Sequence, residues 1–277
     1  IGLLKENNIP LIIQDARDYH GISKLYAELS PDIIIHLAAV SHANKSNKDP
    51  HNTFDHSIRT LENCLDIARG LNKSSNYCHL IYFSSSMVYG NFKSEMVNEN
   101  AECDPIGIYD TLKYAGELIV KSYNRVFDLP YTIIRPSALY GERCVSRRVT
   151  QIFIENAVQG KDINIKGDKH KKLDFTYIKD LIQGVSLIID NKNSINETFN
   201  LTYGQSRSLI DLTEILKSSF KGVKIIFQDE EKFVPKRGTL DITKAKKLIG
   251  YKPKYSIEEG YLNYINWYKE FWKKTFE

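Results

Sequence analysis

Two residues that could transfer a proton, Tyr109 and Lys113, lie four positions apart in the sequence. Residues with this spacing share one face of an α-helix, so the phenol and the ammonium group would point the same way. A neighbouring cation favours the phenolate and would lower the pKa of Tyr109 from about 10 toward that of a useful general base. The pair therefore predicts a proton-transfer site on this helix face.

A run of three serines at residues 84–86 ends an apolar stretch upstream of Tyr109. If that stretch is a strand, its end would place a hydroxyl group near the substrate oxygen that Tyr109 deprotonates. A serine at this place could hydrogen-bond the same oxygen. The Tyr-x-x-x-Lys pattern is weak by itself because both residue types are common here, so its interpretation depends on the surrounding elements.

Strands and helices alternate in the first half of the chain, and they would position these groups. We predict strands at residues 9–14, 32–39, 79–84 and 131–135, and helices at 21–29, 53–69 and 109–127. The run at 32–39 is apolar on both faces, as parallel strands covered on both sides are. The alternation predicts an α/β protein with a Rossmann-like, doubly wound parallel sheet.

The second half of the chain has looser spacing between its apolar patterns. We predict helices at 150–159, 179–191, 208–220, 243–249 and 256–273, and short strands at 163–165, 198–201 and 223–227. This order indicates a smaller C-terminal α/β lobe that covers the carboxyl edge of the sheet. We therefore divide the chain into a sheet domain at 1–141, with returning segments near 174–190, and a mainly substrate-binding lobe at 142–277.

Composition favours an ordinary globular protein, with 42% hydrophobic and 26% charged residues among 277. The 38 basic and 34 acidic residues are interspersed and give a net charge of +4. A basic cluster at 166–172 could meet a phosphate group or form a solvated loop. Because no larger basic stripe exists, we expect no nucleic-acid partner.

The cysteines and histidines predict neither disulfides nor a metal site. The four cysteines are scattered without a C-x-x-C pair, which is typical of free thiols in a reducing cytoplasm. The seven histidines match no metal-binding spacing. The longest apolar run, at 33–40, is far shorter than the roughly 20 residues that span a bilayer. We therefore expect no metal and no membrane partner.

Seven motifs, which together extend over nearly the whole chain, resemble those of the extended short-chain dehydrogenase/reductase family, specifically its nucleotide-sugar epimerases and dehydratases. In chain order they read QDARD at 14–18, HLAA at 36–39, SSSMVYG at 84–90, YxxxK at 109–113, RPSALYG at 135–141, DFTYI at 174–178 and RGTLD at 237–241. Chance could supply one or two of them, but not all seven in order. The resemblance implies an NAD cofactor, with NADP as an alternative, and a nucleotide-diphosphate sugar as substrate.

The resemblance also implies catalytic roles. Tyr109 matches the family's base, Lys113 matches its partner, and Ser85 matches the catalytic hydroxyl, with Ser84 or Ser86 as alternatives. The implied cofactor-binding residues are Asp15, Ala16, Leu37, Ala38, Ala39, Ser84, Tyr109, Lys113 and Pro136. The implied substrate-binding residues are Ser86, Lys172 and Arg237.

Two of these assignments have simple structural alternatives. Asp15 would accept a hydrogen bond from the adenine amino group, but an aspartate after a strand is also a common turn residue. The Arg237 guanidinium suits a diphosphate, but it could equally form a surface ion pair.

The largest departure from the family pattern is at the N-terminus. None of the 15 glycines forms a G-x-x-G-x-x-G or G-x-G-x-x-G turn, and the chain begins with Ile1. The family places that turn after its first strand, so a βαβ unit of roughly 30 residues is expected to be missing. We expect an incomplete record of a longer protein. The rival interpretation is a natural protein that does not bind the pyrophosphate.

A second departure concerns the reaction. The family's dehydratases carry an acid, usually glutamate, where this chain has Met87, and methionine cannot protonate a leaving hydroxyl group. We therefore expect an epimerase that oxidises the sugar to a 4-keto intermediate and returns the hydride. Leu173 and Ala138 replace residues that often accompany uridine diphosphate, so the nucleotide stays open.

Two other functions are compatible with the same sequence. The same residues could serve a one-way reductase, dehydrogenase or dehydratase acting on a nucleotide sugar, or the chain could be an inactive dinucleotide-binding module. The predicted helices at 53–69 and 109–127 carry apolar residues beyond one stripe. In the family, the corresponding helices pair across a two-fold axis, so we expect a homodimer.

Overall fold

The structure is a computed structural model that describes residues 2–73, 78–144, 146–228 and 235–276. Its strands, in chain order, are β1 (Ile33–His36), β2 (His79–Phe83), β3 (Met96–Val97), β4 (Tyr131–Arg135), β5 (Leu139–Tyr140), β6 (Ile163–Lys166), β7 (Lys172–Leu173), β8 (Thr176–Tyr177), β9 (Glu197–Asn200), β10 (Arg207–Ser208), β11 (Ile225–Gln228) and β12 (Thr239–Leu240).

The helices are also numbered in chain order. They are α1 (Gly2–Glu6), α2 (Tyr19–Leu29), α3 (Ala43–Lys48), α4 (Pro50–Phe54), α5 (Thr60–Lys73), α6 (Ile108–Phe127), α7 (Val149–Val158), α8 (Ile178–Asp190), α9 (Leu209–Ser219), α10 (Thr243–Ile249) and α11 (Ile257–Phe276). A π-helical turn at Asp55–Arg59 joins α4 to α5, and 3₁₀ turns occupy Ser86–Tyr89 and Lys192–Ser194.

A parallel sheet in the order β1–β2–β4–β9 lies at the centre of the described chain. Successive residues of β2 face opposite sides. Leu80 packs with Leu61 of α5 and Val120 of α6, whereas Ile81 packs with Leu181 of α8. Helices thus cover both faces, and the predicted Rossmann-like α/β class is confirmed.

The predicted strand at residues 9–14 is wrong. These residues form no regular element, and Ile13 is 91% exposed. A strand needs a neighbour to complete its hydrogen bonds, and β1 has only β2 beside it among the described strands. For the same reason Ile35 of β1 is 40% exposed, so the expected burial of both faces of this strand is also wrong.

The predicted helix at 53–69 is longer than its pattern indicated. Asp49 caps its start, because its Oδ1 accepts a hydrogen bond from the Asn52 amide at 3.1 Å. The helical path then passes through the π-helical turn and continues to Lys73. By contrast, α6 and β4 match their predicted bounds to within one residue.

The second half of the chain builds its own apolar cluster around α7, α9 and α11. Its largest fully buried side chains include Phe153, Phe175, Tyr177, Tyr261 and Tyr264. However, β9, predicted within this half, joins the central sheet beside β4. The division at residues 141 and 142 stays a prediction.

Three further findings concern membrane-spanning helices, metal ligands and cysteines. No helix in the described ranges is both long and apolar enough to cross a bilayer. Within the same ranges, no group of three or more His, Cys, Asp or Glu side chains could hold a metal ion. The four cysteines are all free thiols.

Candidate active site

The carboxyl end of β2 presents the serine run. The chain leaves the strand at Phe83, and Ser85 caps the following 3₁₀ turn, its Oγ accepting from the Met87 amide at 3.2 Å. The Ser84 hydroxyl instead donates to Oε1 of the buried Glu117 at 2.5 Å. Ser84 is thus engaged in the protein interior, which leaves Ser85 and Ser86 facing the cavity described below.

The start of α6 positions Tyr109. Oδ2 of Asp110 accepts hydrogen bonds from the amides of Ile106 at 2.6 Å and Gly107 at 2.8 Å. The Asn47 side chain accepts from the Ile108 amide at 3.0 Å. These bonds satisfy amides that the first helical turn leaves without partners, so the backbone that carries Tyr109 is fixed.

Lys113 lies one turn further along α6 and is buried. Its Nζ donates to the Phe83 carbonyl oxygen at 2.7 Å and lies 5.1 Å from the centre of the Tyr82 ring. Burial lowers the pKa of Lys113 to about 8, and the Glu117 carboxylate partly opposes this change. The ammonium group therefore contacts the end of β2, next to the serine run.

The expected lowering of the Tyr109 pKa by Lys113 is wrong for this structure. Burial raises the pKa of Tyr109, while a hydrogen bond from Ser85 and the charges of Arg148 and Arg237 favour the phenolate. The sequence spacing did not anticipate this because helix position alone does not show where the lysine head group turns. Arg148 was not among the predicted site residues.

A cavity of about 420 Å³ is lined by residues from both the first and the second half of the chain. Its walls include Ser85, Ser86, Tyr109, Pro136 and Arg237, all of which the sequence had suggested. The described lining also includes residues that had not been suggested, among them His42, Met87, Arg148 and Phe175.

The turn after β4 shapes one wall of this cavity. Ala138 has φ of 37°, in the left-handed region that residues other than glycine seldom adopt. Backbone strain of this kind concentrates at functional sites. The strained turn carries Pro136 through Leu139 along the cavity wall.

The remaining predicted cofactor residues are not among the described lining of this cavity. The Asp15 carboxylate pairs with Arg17 at 2.7 Å, and this hydrogen-bonded pair lowers the pKa of Asp15 to about 2. The Ala16 carbonyl accepts from Asn63 at 3.0 Å. Leu37 is 64% exposed. Ala38 and Ala39 follow it, and neither is buried.

Lys172 lines a second cavity of about 830 Å³ rather than the first. Arg237 lines both, so the two cavities meet at this residue. Other basic residues of the second cavity are Lys93, Lys171 and Lys236. The larger cavity therefore has more basic than acidic lining residues, since Glu95 and Asp168 are its only described acidic ones.

These features accord with the known proteins that the chain resembles. The family described as GDP-mannose 4,6 dehydratase matches residues 3–263. The chain belongs to this family. It is therefore a member of the extended short-chain dehydrogenase/reductases, in the group of nucleotide-sugar epimerases and dehydratases, as its motifs implied.

Relatives in this group are named for different reactions. A UDP-glucuronate 4-epimerase of Thermodesulfobacterium geofontis is 29% identical over 271 residues, which cover 97% of this chain and 82% of the relative. A dTDP-glucose 4,6-dehydratase of Haemophilus influenzae is 24% identical over 292 residues, which cover 95% and 84%. Family membership alone therefore leaves the reaction open.

A solved structure supports the fold over nearly the whole chain. The UDP-glucuronic acid 4-epimerase of Bacillus cereus, in complex with UDP-glucuronic acid and NAD, has a TM-score of 0.88 and 27% identity. The match covers 98% of this chain and 86% of the Bacillus chain.

Proposed function

We propose that the protein is an NAD-dependent epimerase that inverts carbon 4 of a nucleotide-diphosphate sugar. The main support for this proposal is the composition of the cavity lining. The described lining includes Tyr109, Ser85 and the guanidinium groups of two arginines, but no carboxyl group. Dehydration needs an acid that expels a hydroxyl group, and Met87 lies in the cavity wall where such an acid would be needed. The Bacillus and Thermodesulfobacterium relatives named as 4-epimerases support the same reaction.

The carboxyl edge of the sheet fits a dinucleotide. Leu37 and Ala38 are exposed there at the end of β1, and parallel sheets bind dinucleotides at this edge. We assign Asp15, Ala16, Leu37, Ala38 and Ala39 to the adenosine half, and Tyr109, Lys113 and Pro136 to the nicotinamide end. When bound, NAD supplies the acceptor of the sugar's hydride and later its donor.

Tyr109 carries the proton chemistry in this proposal. Its phenolate takes the proton from the hydroxyl group on carbon 4, while Ser85 hydrogen-bonds the same oxygen. Loss of that proton and of the hydride from carbon 4 leaves a 4-keto sugar. The sugar turns within the cavity, and Tyr109 returns the proton to the oxygen after the hydride has come back on the other face.

Product analysis tests the proposal. Protein and NAD are incubated with UDP-, GDP- and dTDP-sugars, and nuclear magnetic resonance identifies the products. We expect a 4-epimer without net reduction of NAD, and a rate lower by about 10²- to 10⁴-fold in Tyr109→Phe. Tyr114→Phe, on the same helix but outside the cavity lining, is the matched control and should stay active.

The other outcomes distinguish the alternatives. Net consumption of reduced cofactor would indicate a one-way reductase, and loss of water from the sugar would indicate a dehydratase. Substantial epimerisation by Tyr109→Phe would contradict the role assigned to Tyr109.

A further inference from the structure

Asp174 is a buried carboxylate that hydrogen-bonds two distant segments of the chain. It lies between β7 and β8 and is fully buried. Its Oδ2 accepts from the Thr202 hydroxyl at 3.0 Å and from the Leu240 amide at 3.1 Å, and its Oδ1 accepts from the Gly204 amide at 3.2 Å. The carboxylate therefore joins its own segment to the loop after β9 and to β12.

Each of the three joined segments also contributes to a cavity wall. Phe175 lines the cavity that contains Tyr109. Ser206 and Thr239 line the larger cavity, and Arg237 lines both. The shared carboxylate itself is not among the described lining of either cavity, so any effect it has on a ligand passes through the residues that it holds.

The charge of Asp174 is met by neutral donors. Its hydrogen bonds in the described ranges come from one hydroxyl group and two backbone amides. Burial raises the pKa of Asp174 to about 6, and the hydrogen bonds from Leu240, Thr202 and Gly204 oppose this change. A buried donor that loses its acceptor is costly, so the arrangement of these three groups depends on the one side chain.

Arg237 depends on its backbone for its position. Its Nε is buried and makes no hydrogen bond to any residue that the structure describes. Three positions further along, the Leu240 amide is bonded to Asp174, and the Thr239 hydroxyl accepts from the Ser206 amide at 3.1 Å. These two bonds hold the segment at 237–240 against the loop after β9.

We propose that Asp174 is a positioning residue for the nucleotide: it holds the segment at 237–240 where Arg237 meets the diphosphate of the substrate. The inference rests on the function proposed above, since it takes a nucleotide-diphosphate sugar as the ligand. A guanidinium group donates to phosphate oxygens in a fixed planar geometry. A small displacement of its backbone therefore weakens binding.

Calorimetric titration of the protein with NAD and free nucleotides tests this role without requiring turnover. UDP, GDP and dTDP are each titrated, and the nucleotide that binds the unaltered protein most tightly serves as the probe. We expect Asp174→Asn to weaken its binding by about tenfold to a hundredfold. The reason is that the asparagine amide nitrogen cannot accept from the donors that the replaced oxygen held.

Steady-state rates with the nucleotide sugar give a second measure. In Asp174→Asn the KM should rise, while kcat should fall by less than about threefold. Tyr109 and Ser85 lie on α6 and after β2, and the bonds that hold them there do not include Asp174. A fall in kcat with an unchanged KM would contradict a role in nucleotide binding.

Asp180→Asn is the matched control, since Asp180 is also a buried carboxylate. It accepts from the amides of Lys254 at 2.7 Å and Tyr255 at 3.0 Å, and none of these three residues is in the described lining of either cavity. Its loss should lower the Tm but leave nucleotide affinity unchanged. An equal loss of affinity in Asp180→Asn would assign the effect to general destabilisation and overturn the proposal.

Two variants of Thr202 decide the question if Asp174→Asn does not fold. Thr202→Val removes the hydroxyl group that donates to Asp174, whereas Thr202→Ser keeps it. We expect nucleotide binding to weaken by about threefold to tenfold in Thr202→Val and to stay unchanged in Thr202→Ser. Equal affinities of the valine and serine variants would overturn the proposal.

The titration separates this inference from the proposed reaction. Weaker nucleotide binding by Asp174→Asn but not by Asp180→Asn, in a protein that forms no 4-epimer, would support the positioning role while contradicting the reaction. Formation of the 4-epimer by a protein whose nucleotide affinity does not change in Asp174→Asn would have the opposite meaning. Failure of all three nucleotides to bind the unaltered protein would also overturn the role of Asp174.

Discussion

At Tyr109, burial and local polar groups act on the pKa in opposite directions. Burial favours the neutral phenol, whereas the Ser85 hydrogen bond and the charges of Arg148 and Arg237 favour the phenolate. Lys113, which the four-residue spacing suggested as the main influence, hydrogen-bonds the Phe83 carbonyl oxygen instead. In the proposed mechanism, Ser85 therefore acts on Tyr109 as well as on the substrate oxygen.

Removing the Ser85 hydroxyl should change both the rate and its pH dependence. We expect Ser85→Ala to lower kcat by about tenfold to a hundredfold, the effect of one hydrogen bond to a charged group. Because that bond lowers the pKa of Tyr109, its loss raises this pKa, and the rising limb of the rate against pH moves to higher pH. Initial rates across the pH range measure both effects.

Ser122→Ala provides the control for this experiment, since Ser122 is an exposed serine of α6 outside the cavity lining. It should leave the profile unchanged. A rising limb at the same pH in Ser85→Ala would show that Ser85 does not influence the ionisation of Tyr109.

At the scale of elements, a buried ion pair joins α6 to the ends of β2 and β4. The Glu117 carboxylate accepts from Arg135 Nε at 2.9 Å and Nη2 at 2.6 Å, and from the Ser84 hydroxyl. Glu117 is fully buried and Arg135 is nearly so. The pair therefore fixes α6, with Tyr109 and Lys113, against the serine run.

Breaking this pair should strongly destabilise the fold. Glu117→Gln leaves a buried arginine without its carboxylate, which typically costs about 3–5 kcal/mol in the free energy of unfolding. Adding Arg135→Met should recover part of the loss, because it removes the uncompensated charge. Denaturant titration measures each variant.

An exposed ion pair gives the comparison. Lys93 and Glu102 are each 70% exposed, so solvent screens this pair and Glu102→Gln should lower the free energy of unfolding far less than Glu117→Gln does. A cost for Glu117→Gln as small as that of Glu102→Gln would contradict the structural role of the buried pair.

The same helix packs closely on the sheet at Gly116. A Cβ atom there would lie 2.2 Å from the Tyr82 hydroxyl oxygen and 3.0 Å from Leu61. Gly116→Ala should therefore destabilise the protein by about 1–3 kcal/mol despite the better helix propensity of alanine. Gly70→Ala on α5, where no atom lies within 4 Å of an added Cβ, should be neutral or stabilising by up to about 1 kcal/mol.

Thermal or denaturant unfolding of the two alanine variants measures this contrast. A Gly116→Ala protein as stable as Gly70→Ala would show that α6 does not pack on β2 as closely as described.

Several elements could be predicted because their patterns are local. The spacing of apolar residues in α6 indicates a helix, and the apolar run of β4 indicates a strand. Neither prediction depends on other segments of the chain. The run at 9–14 looked like a strand because its residues are apolar, but strand formation depends on a neighbour that a local pattern does not reveal.

The site residues show the same limit. Tyr109, Lys113 and Ser85 could be proposed as site residues from spacing and family resemblance. Arg148 could not, because Arg143, Arg147 and Arg148 follow one another closely, and only the packing of α7 shows which one faces the cavity. The bond between Ser84 and Glu117, residues 33 positions apart, likewise follows from tertiary structure.

At the scale of the whole molecule, both halves of the chain contribute to the cavity. Tyr109 and Ser85 come from the first half, and Arg148 and Arg237 come from the second half. On the outer surface of α6, Leu118 is 51% exposed and Val126 is 65% exposed. They are eight residues apart, about 12 Å along the helix axis, and lie on the same broad side of the helix. We propose that this face takes part in a homodimer.

Light scattering tests the oligomeric state. We expect about twice the mass of one chain for the protein, and a monomer for Leu118→Glu because a buried carboxylate at the interface is costly. Lys247→Glu, a charge change at an exposed position of α10, should stay dimeric. A monomeric mass for the unaltered protein would rule out the dimer.

Isotope transfer tests the central claim, reversible oxidation at carbon 4, most directly. A nucleotide sugar that carries deuterium on carbon 4 is converted by the protein with NAD, and nuclear magnetic resonance locates the label in the product. The account predicts that the 4-epimer keeps its deuterium on carbon 4 and gains none from solvent. Deuterium on carbon 6, or its loss to water, would contradict it.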